Sequence, residues 1–246
     1  MLATICVRLA LGLILFLPFI WNCLPHPRFV RTQFISALGL LVVAVLSSWN
    51  ESTGVMRGLL LAGCAAALAG AVSWTLDPAP GGRWLILATI AILGAAIFQG
   101  GAATDWPWRL FAGGVSSAAL LGAALTSMLV GHSYLISPGL ALTPLLRMLA
   151  ALFVAAGLRA VVCGSALGFW LSERGGHTLT TEDALWLPVR WIVGIAAPVG
   201  FGAMALSAAR IRSTQSATGI LYVAVVCAIL GELIGLLLET THGWPL

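Results

Sequence analysis

The chain has 246 residues, 60% of them hydrophobic and only 8% charged, with mean hydropathy +1.04 and a formal net charge of +4. A soluble chain of this length carries about a quarter charged residues, so a water-soluble globular domain is excluded and the bilayer is the expected solvent. The charge is spread over short loops, which excludes a basic nucleic-acid surface.

All twelve basic residues are arginine, and the Ala, Gly and Leu content fits a GC-rich bacterial genome. The five cysteines, Cys6, Cys23, Cys64, Cys163 and Cys227, form no C-x-x-C. Their odd number and wide spacing argue against a disulfide framework, a zinc site or an iron–sulfur cluster.

A membrane-spanning helix needs about 20 mostly apolar residues, and eight stretches qualify. The first is Thr4–Trp21. It lacks a basic leading region and a small-residue cleavage site, and so is expected to be a retained span. Gln33–Ser48, Gly58–Leu76, Trp84–Gln99 and Leu110–Val130 follow. The sixth to eighth are Leu145–Trp170, Val189–Ala209 and Gly219–Leu238. The connections are short and carry turn residues, among them Pro25-His26-Pro27 and Ser137-Pro138-Gly139. The expected fold is all-α: one transmembrane domain over residues 1–246, a polytopic bundle of about eight helices.

Arginine bias sets the expected orientation. Arg28, Arg31, Arg83, Arg147, Arg210 and Arg212 lie in the connections on one side, against the single acid Asp77. The other side holds Arg57, Arg109, Arg174 and Arg190 with six acids, Glu239 among them. The first side is expected to be cytoplasmic and both termini periplasmic, in a bacterial inner membrane, with Arg8 free to snorkel outward. The ten tryptophans cluster at span ends, as expected of an aromatic belt.

The longest external loop precedes the seventh span. There Thr180-Thr181-Glu182-Asp183 has capping-box spacing, which predicts a surface helix over Thr181–Leu187 stopped by Pro188. Its acids, with His177, are expected to form a solvated cap; docking of a periplasmic partner is the alternative. Gly113-x-x-x-Ser117, Gly164-x-x-x-Gly168 and Gly231-x-x-x-Gly235 mark close helix packing. The tetrad Ala-Ile-Leu-Gly occurs at Ala91–Gly94 and again at Ala228–Gly231, a hint of a four-plus-four duplication, but its flanking residues do not align and the match is read as chance.

Two constellations could carry chemistry. Arg159 lies midway along the sixth span, where a guanidinium costs roughly 2.5–3.5 kcal/mol on the lenient insertion scale. The acid at comparable depth is Glu232, so the expectation is a buried Arg159–Glu232 ion pair, either a lock between helices or part of an ion path. The second is interfacial: His132, Tyr134, Arg147 and Tyr222 fall near one membrane level. Together they would suit a quinone head group or a lipid phosphate; a hydrogen-bonded turn is the plainer reading.

No two histidines are placed to ligate haem, and P-loop, H-E-x-x-H and G-x-S-x-G motifs are missing. No covalent cofactor, metal or catalytic residue is expected, and quinone is the one cofactor entertained. The leading expectation is an integral subunit of a bacterial electron-transfer complex, contacting the bilayer and other membrane or periplasmic subunits. The alternative is a small-solute, ion or proton transporter built on Arg159 and Glu232. Such a transporter is expected to show internal repeats and broken helices, for which Gly194, Pro198 and Gly200 are the available signal.

Overall fold

A computed structural model describes residues 1–20, 27–76, 79–102, 104, 106–136, 141–173 and 180–246. Most of these residues are helical, and there is no strand among them. The elements are α1 (Leu2–Leu15), α2 (Leu17–Ile20), α3 (Pro27–Ser48), α4 (Gly54–Ser73), α5 (Gly82–Gly101), α6 (Pro107–Ile136), α7 (Thr143–Glu173) and α8 (Thr181–Trp191). A π-helical segment, Ile192–Ala196, leads into α9 (Ala197–Arg210), and α10 (Thr214–His242) completes the chain. Eight helical rods are long and apolar enough to cross a membrane, α1 with α2 forming one and α8 through α9 another.

Local chemistry sets many of the ends. The Thr53 side chain caps α4 by accepting from the Met56 amide at 3.3 Å. Thr180 and Asp183 form a reciprocal capping box on α8. Gly243, with φ of 70°, ends α10 in the left-handed conformation that favours glycine.

Two rods are interrupted, each beside a proline. Pro18 has no N–H for the Ile14 carbonyl, and α1 gives way to α2 at Phe16. Pro198 likewise leaves the Gly194 carbonyl without its ordinary partner, and the turn before it widens into the π segment.

The rods pack as two rings of four. In the first ring α1, α3, α4 and α5 each touch the next, and α5 closes back on α1. In the second, α6, α7, the α8–α9 rod and α10 repeat that order and closure. The rings meet where α6 lies against α1 and α5. At that seam the α1 and α6 backbones cross at Gly12 and Gly122: a Cβ on Gly12 would stand 2.8 Å from Gly122 Cα, so any side chain would force the helices apart. The Ala91–Gly94 and Ala228–Gly231 tetrads fall on the fourth rod of each ring.

Several sequence expectations need correction. The helix beginning at Thr181 does not stop at Pro188; it runs on through Trp191 with Pro188 inside it, at the loss of the hydrogen bond that the Ala184 carbonyl would accept from residue 188. Asp183, expected in a solvated cap, is buried against α10. His177 lies outside the described residues. Trp170 and Trp244 are not belt residues but pack inside, in a cluster with Leu187 and Leu246. Gly168 meets nothing within 4 Å of a built Cβ, so Gly164-x-x-x-Gly168 is not a backbone contact between helices.

Candidate functional site

The interior charges sit on the inner faces of three long rods and on α8. Arg8 comes from α1, Arg159 from α7, Arg190 from α8, and Glu232 and Glu239 from α10. Arg8, Arg159, Arg190 and Glu232 are 3%, 1%, 1% and 2% exposed. Glu232 and Glu239 are seven residues apart, two turns of helix, and therefore share one face. Glu232 lies ten residues before the end of α10, roughly 15 Å deep at 1.5 Å per residue, about half the hydrocarbon thickness.

Glu232 is the hub. Its Oε1 accepts from Arg8 Nη1 at 2.5 Å, and its Oε2 lies 3.4 Å from Arg159 Nη2. Arg159 Nη1 also donates to the Gly113 carbonyl at 2.7 Å and to Ser116 Oγ at 3.2 Å. Arg8 Nη2 reaches both carboxylate oxygens of Glu239 at 2.9 Å. Arg8 Nε and Arg159 Nε have no hydrogen-bond partner. Each arginine thus spends its terminal nitrogens on carboxylate and carbonyl oxygens, as a charge at this depth requires.

Arg190 enters from α8. Gly231 and Gly235 make room for it: a Cβ at Gly235 would come within 2.8 Å of its Nε. Its Nε donates to the Leu246 main-chain oxygen at 3.4 Å, and its Nη2 faces Cys163 Sγ at 3.8 Å. Arg109 secures the same tail, donating to the Gly243 carbonyl at 3.0 Å with its guanidinium 3.6 Å from the Trp244 ring centre. One turn beyond Glu239, His242 Nε2 lies 2.7 Å from Asp183 Oδ1 and ties α10 to the start of α8.

A cavity of about 430 Å³ opens at the end of the bundle where α1 begins. Its wall includes Arg8, Glu239, Thr4 and Leu60, with Glu51 and Ser52 from the α3–α4 turn. It leads from that end to Arg8, and through Arg8 to Glu232. Glu232 is sealed, whereas the Glu239 side chain keeps 15% of its surface exposed.

No known protein family, curated protein or solved structure matches the chain. Among the described residues no group of three or more His, Cys, Asp or Glu could hold a metal ion.

The interfacial residues lie at the opposite end. Tyr222 Oη lies 3.4 Å from His132 Nδ1, and both residues are exposed on the outside of the bundle. Tyr134, two residues along the same helix, points the other way: it is buried and donates to the Ala141 carbonyl at 2.5 Å. Arg147 is exposed on α7. His132 and Tyr222 are thus brought together, while Tyr134 is not part of their surface, because residues two apart on a helix face opposite sides.

Arg8, Arg190, Glu239 and Asp183 were not singled out from the sequence. Arg8 does not snorkel outward; it turns inward because Glu232 and Glu239 stand on the facing side of α10. The 232/239 spacing was the available signal, and it becomes visible once α10 is taken to His242 and not ended at Leu238.

Proposed function

We propose that the protein is a membrane transporter of a small solute or ion, which enters by the cavity at Arg8 and Glu239 and is handled at the Arg8–Glu232–Arg159 cluster. The observation that carries this reading is the cavity itself: an opening at one end of the bundle that terminates on paired charges held at mid-membrane depth. Intramembrane ionisable groups that line a cavity mark substrate and ion pathways. Two further features support it. The rods form two rings of like order, and the charge cluster bridges them; repeats meeting at a midplane site are typical of transporters. Rods one and seven are broken beside Pro18 and Pro198, and irregular backbone within a span belongs where it serves a cavity or a moving part.

The arginine bias of the connections supports an orientation in a bacterial inner membrane with the cavity mouth and both termini on the periplasmic side. The test is efflux from proteoliposomes loaded with labelled organic acids, amino acids and sugars. Wild-type protein should release at least one of these well above protein-free vesicles, and Glu232→Gln should abolish the difference. Release of none above protein-free vesicles contradicts transport.

A second reading, an anchoring subunit of an electron-transfer complex that meets quinone or lipid, is favoured by the exposed His132–Tyr222 pair. His132→Ala should then weaken binding of a quinone analogue to the purified protein without affecting its folding. Unchanged binding leaves the pair a surface contact between α6 and α10.

A further inference from the structure

The two carboxylates on Arg8 are not equivalent, and the difference points to the cargo. Glu232 is sealed in the cluster and shared with Arg159. Glu239 holds Arg8 by one nitrogen only, and both it and Arg8 line the cavity. Arg8 also has an unpartnered Nε while 3% exposed. A guanidinium facing a cavity, with a carboxylate already seated on it, is a preformed site for a planar or tetrahedral oxyanion.

We propose that Arg8 binds a small monovalent organic anion, a carboxylate or sulfonate, in place of Glu239, and that Glu239 takes up a proton as it is displaced. This rests on the transport reading and names the substrate class of that site. The charge balance closes. The anion brings one negative charge to Arg8, the proton removes one from Glu239, and the cluster's total is unchanged. Without that proton, a third negative group would crowd Arg8 in a desolvated site, which is costly. The cavity walls supply an apolar lining for a short tail at Val7, Leu60, Ile97 and Leu110, and hydroxyls at Thr4 and Ser52.

The groups facing Glu239 fit a proton-linked exchange. From α1 there is Arg8, and from its own helix Glu232 and His242. Asp183 of α8 is occupied by His242, and Arg109 of α6 by the tail at Gly243 and Trp244. Across the cavity stand the Met1 amino group and Glu51; Arg57 of α4 is directed to Ser52. Among the described residues Arg8 is the one guanidinium in the cavity wall.

The test is calorimetric titration of the purified wild-type protein with ethanesulfonate, which stays ionised throughout, in buffers of different ionisation enthalpy. Binding should take up about one proton per anion, and affinity should fall by about tenfold per pH unit on the alkaline side. Glu239→Gln should bind ethanesulfonate without proton uptake and with affinity independent of pH. Pyruvate should behave as ethanesulfonate does, and ethylammonium should not bind.

Absence of ethanesulfonate binding at every pH overturns the proposal, as does binding by both proteins without proton uptake. Binding of ethylammonium instead would make the cavity a cation site and equally overturn it. None of these results touches efflux of other solutes, so a failure here is distinguishable from a failure of the transport reading.

Discussion

Arg8 Nη1 on α1 and Glu232 Oε1 on α10 stand 2.5 Å apart, and this pair joins the first rod of one ring to the last rod of the other. Because Arg159 shares the same carboxylate, the three residues form a bridge across the seam and not an isolated pair. The consequence is an asymmetry among substitutions.

Glu232→Leu leaves Arg159 with only a carbonyl and a hydroxyl, and should cost about 3–5 kcal/mol, the usual loss when one partner of a buried pair is removed. Arg159→Leu should cost less, since Glu232 keeps Arg8. The double variant Arg159→Leu/Glu232→Leu should recover much of the Glu232→Leu loss, with Arg8 still on Glu239. Melting temperatures in detergent read the order directly; equal, additive losses would remove the shared hub.

The α1–α6 crossing should be intolerant of any side chain. Gly12→Ala places a methyl against the Ala118 carbonyl and the Gly122 backbone, atoms that cannot rotate away. A loss at or above the usual 1–3 kcal/mol of overpacking is expected. Gly39→Ala, where a built Cβ meets nothing within 4 Å, is the control and should melt like wild type.

Gln33 is 1% exposed and neither amide atom of its side chain has a partner. Replacing such a group with an apolar residue of similar volume removes a desolvation cost of about 1–3 kcal/mol. Gln33→Leu should therefore raise the melting temperature. A fall would mean that the amide has a partner in the membrane.

How much of this was legible in the sequence follows from what each feature depends on. The eight rods were legible because a bilayer demands long, mostly apolar runs, and eight such runs are visible in the sequence. Arg159 and Glu232 stood out because each interrupts such a run near its middle. Asp183 and Glu239 do not, because they lie beyond the ends of the apolar runs, and Arg190 does not, because it stands at the very edge of one, where charges belong to the connections. In the structure α8 begins at Thr181 and α10 continues to His242, so these residues are still helical and face inward. Arg8 was misjudged for want of its partner: nothing local in Leu2–Leu15 reveals that two acids of α10 stand opposite. The ring order was not legible at all, since the two halves share only a tetrad.

Asp183 both closes the capping box on Thr180 and meets His242. Asp183→Ala removes both contacts, and loss of a cap alone costs about 0.5–2 kcal/mol. Amide hydrogen exchange should show faster exchange in the first turn of α8 and at the end of α10, with the centre of α6 unchanged. Uniform protection across α8 would show that neither contact matters to that end of the bundle.

Orientation is open to labelling. A cysteine at Ser52, beside the cavity, should react with an impermeant maleimide added outside intact cells. One at Ile211, between α9 and α10, should react only after the membrane is opened. The reverse pattern would move the cavity mouth to the cytoplasm.

The claim on which everything else depends is that cargo passes through the cavity at Arg8. Gly100 lines that cavity, and a Cβ there has only Met56 Cε near it, at 3.8 Å. A bulky side chain at this position fills the cavity without breaking a helix contact. The decisive measurement is proteoliposome efflux by Gly100→Trp beside its melting temperature. Efflux lost with the melting temperature held at the wild-type value is the expected result. Wild-type efflux through a filled cavity would contradict the account.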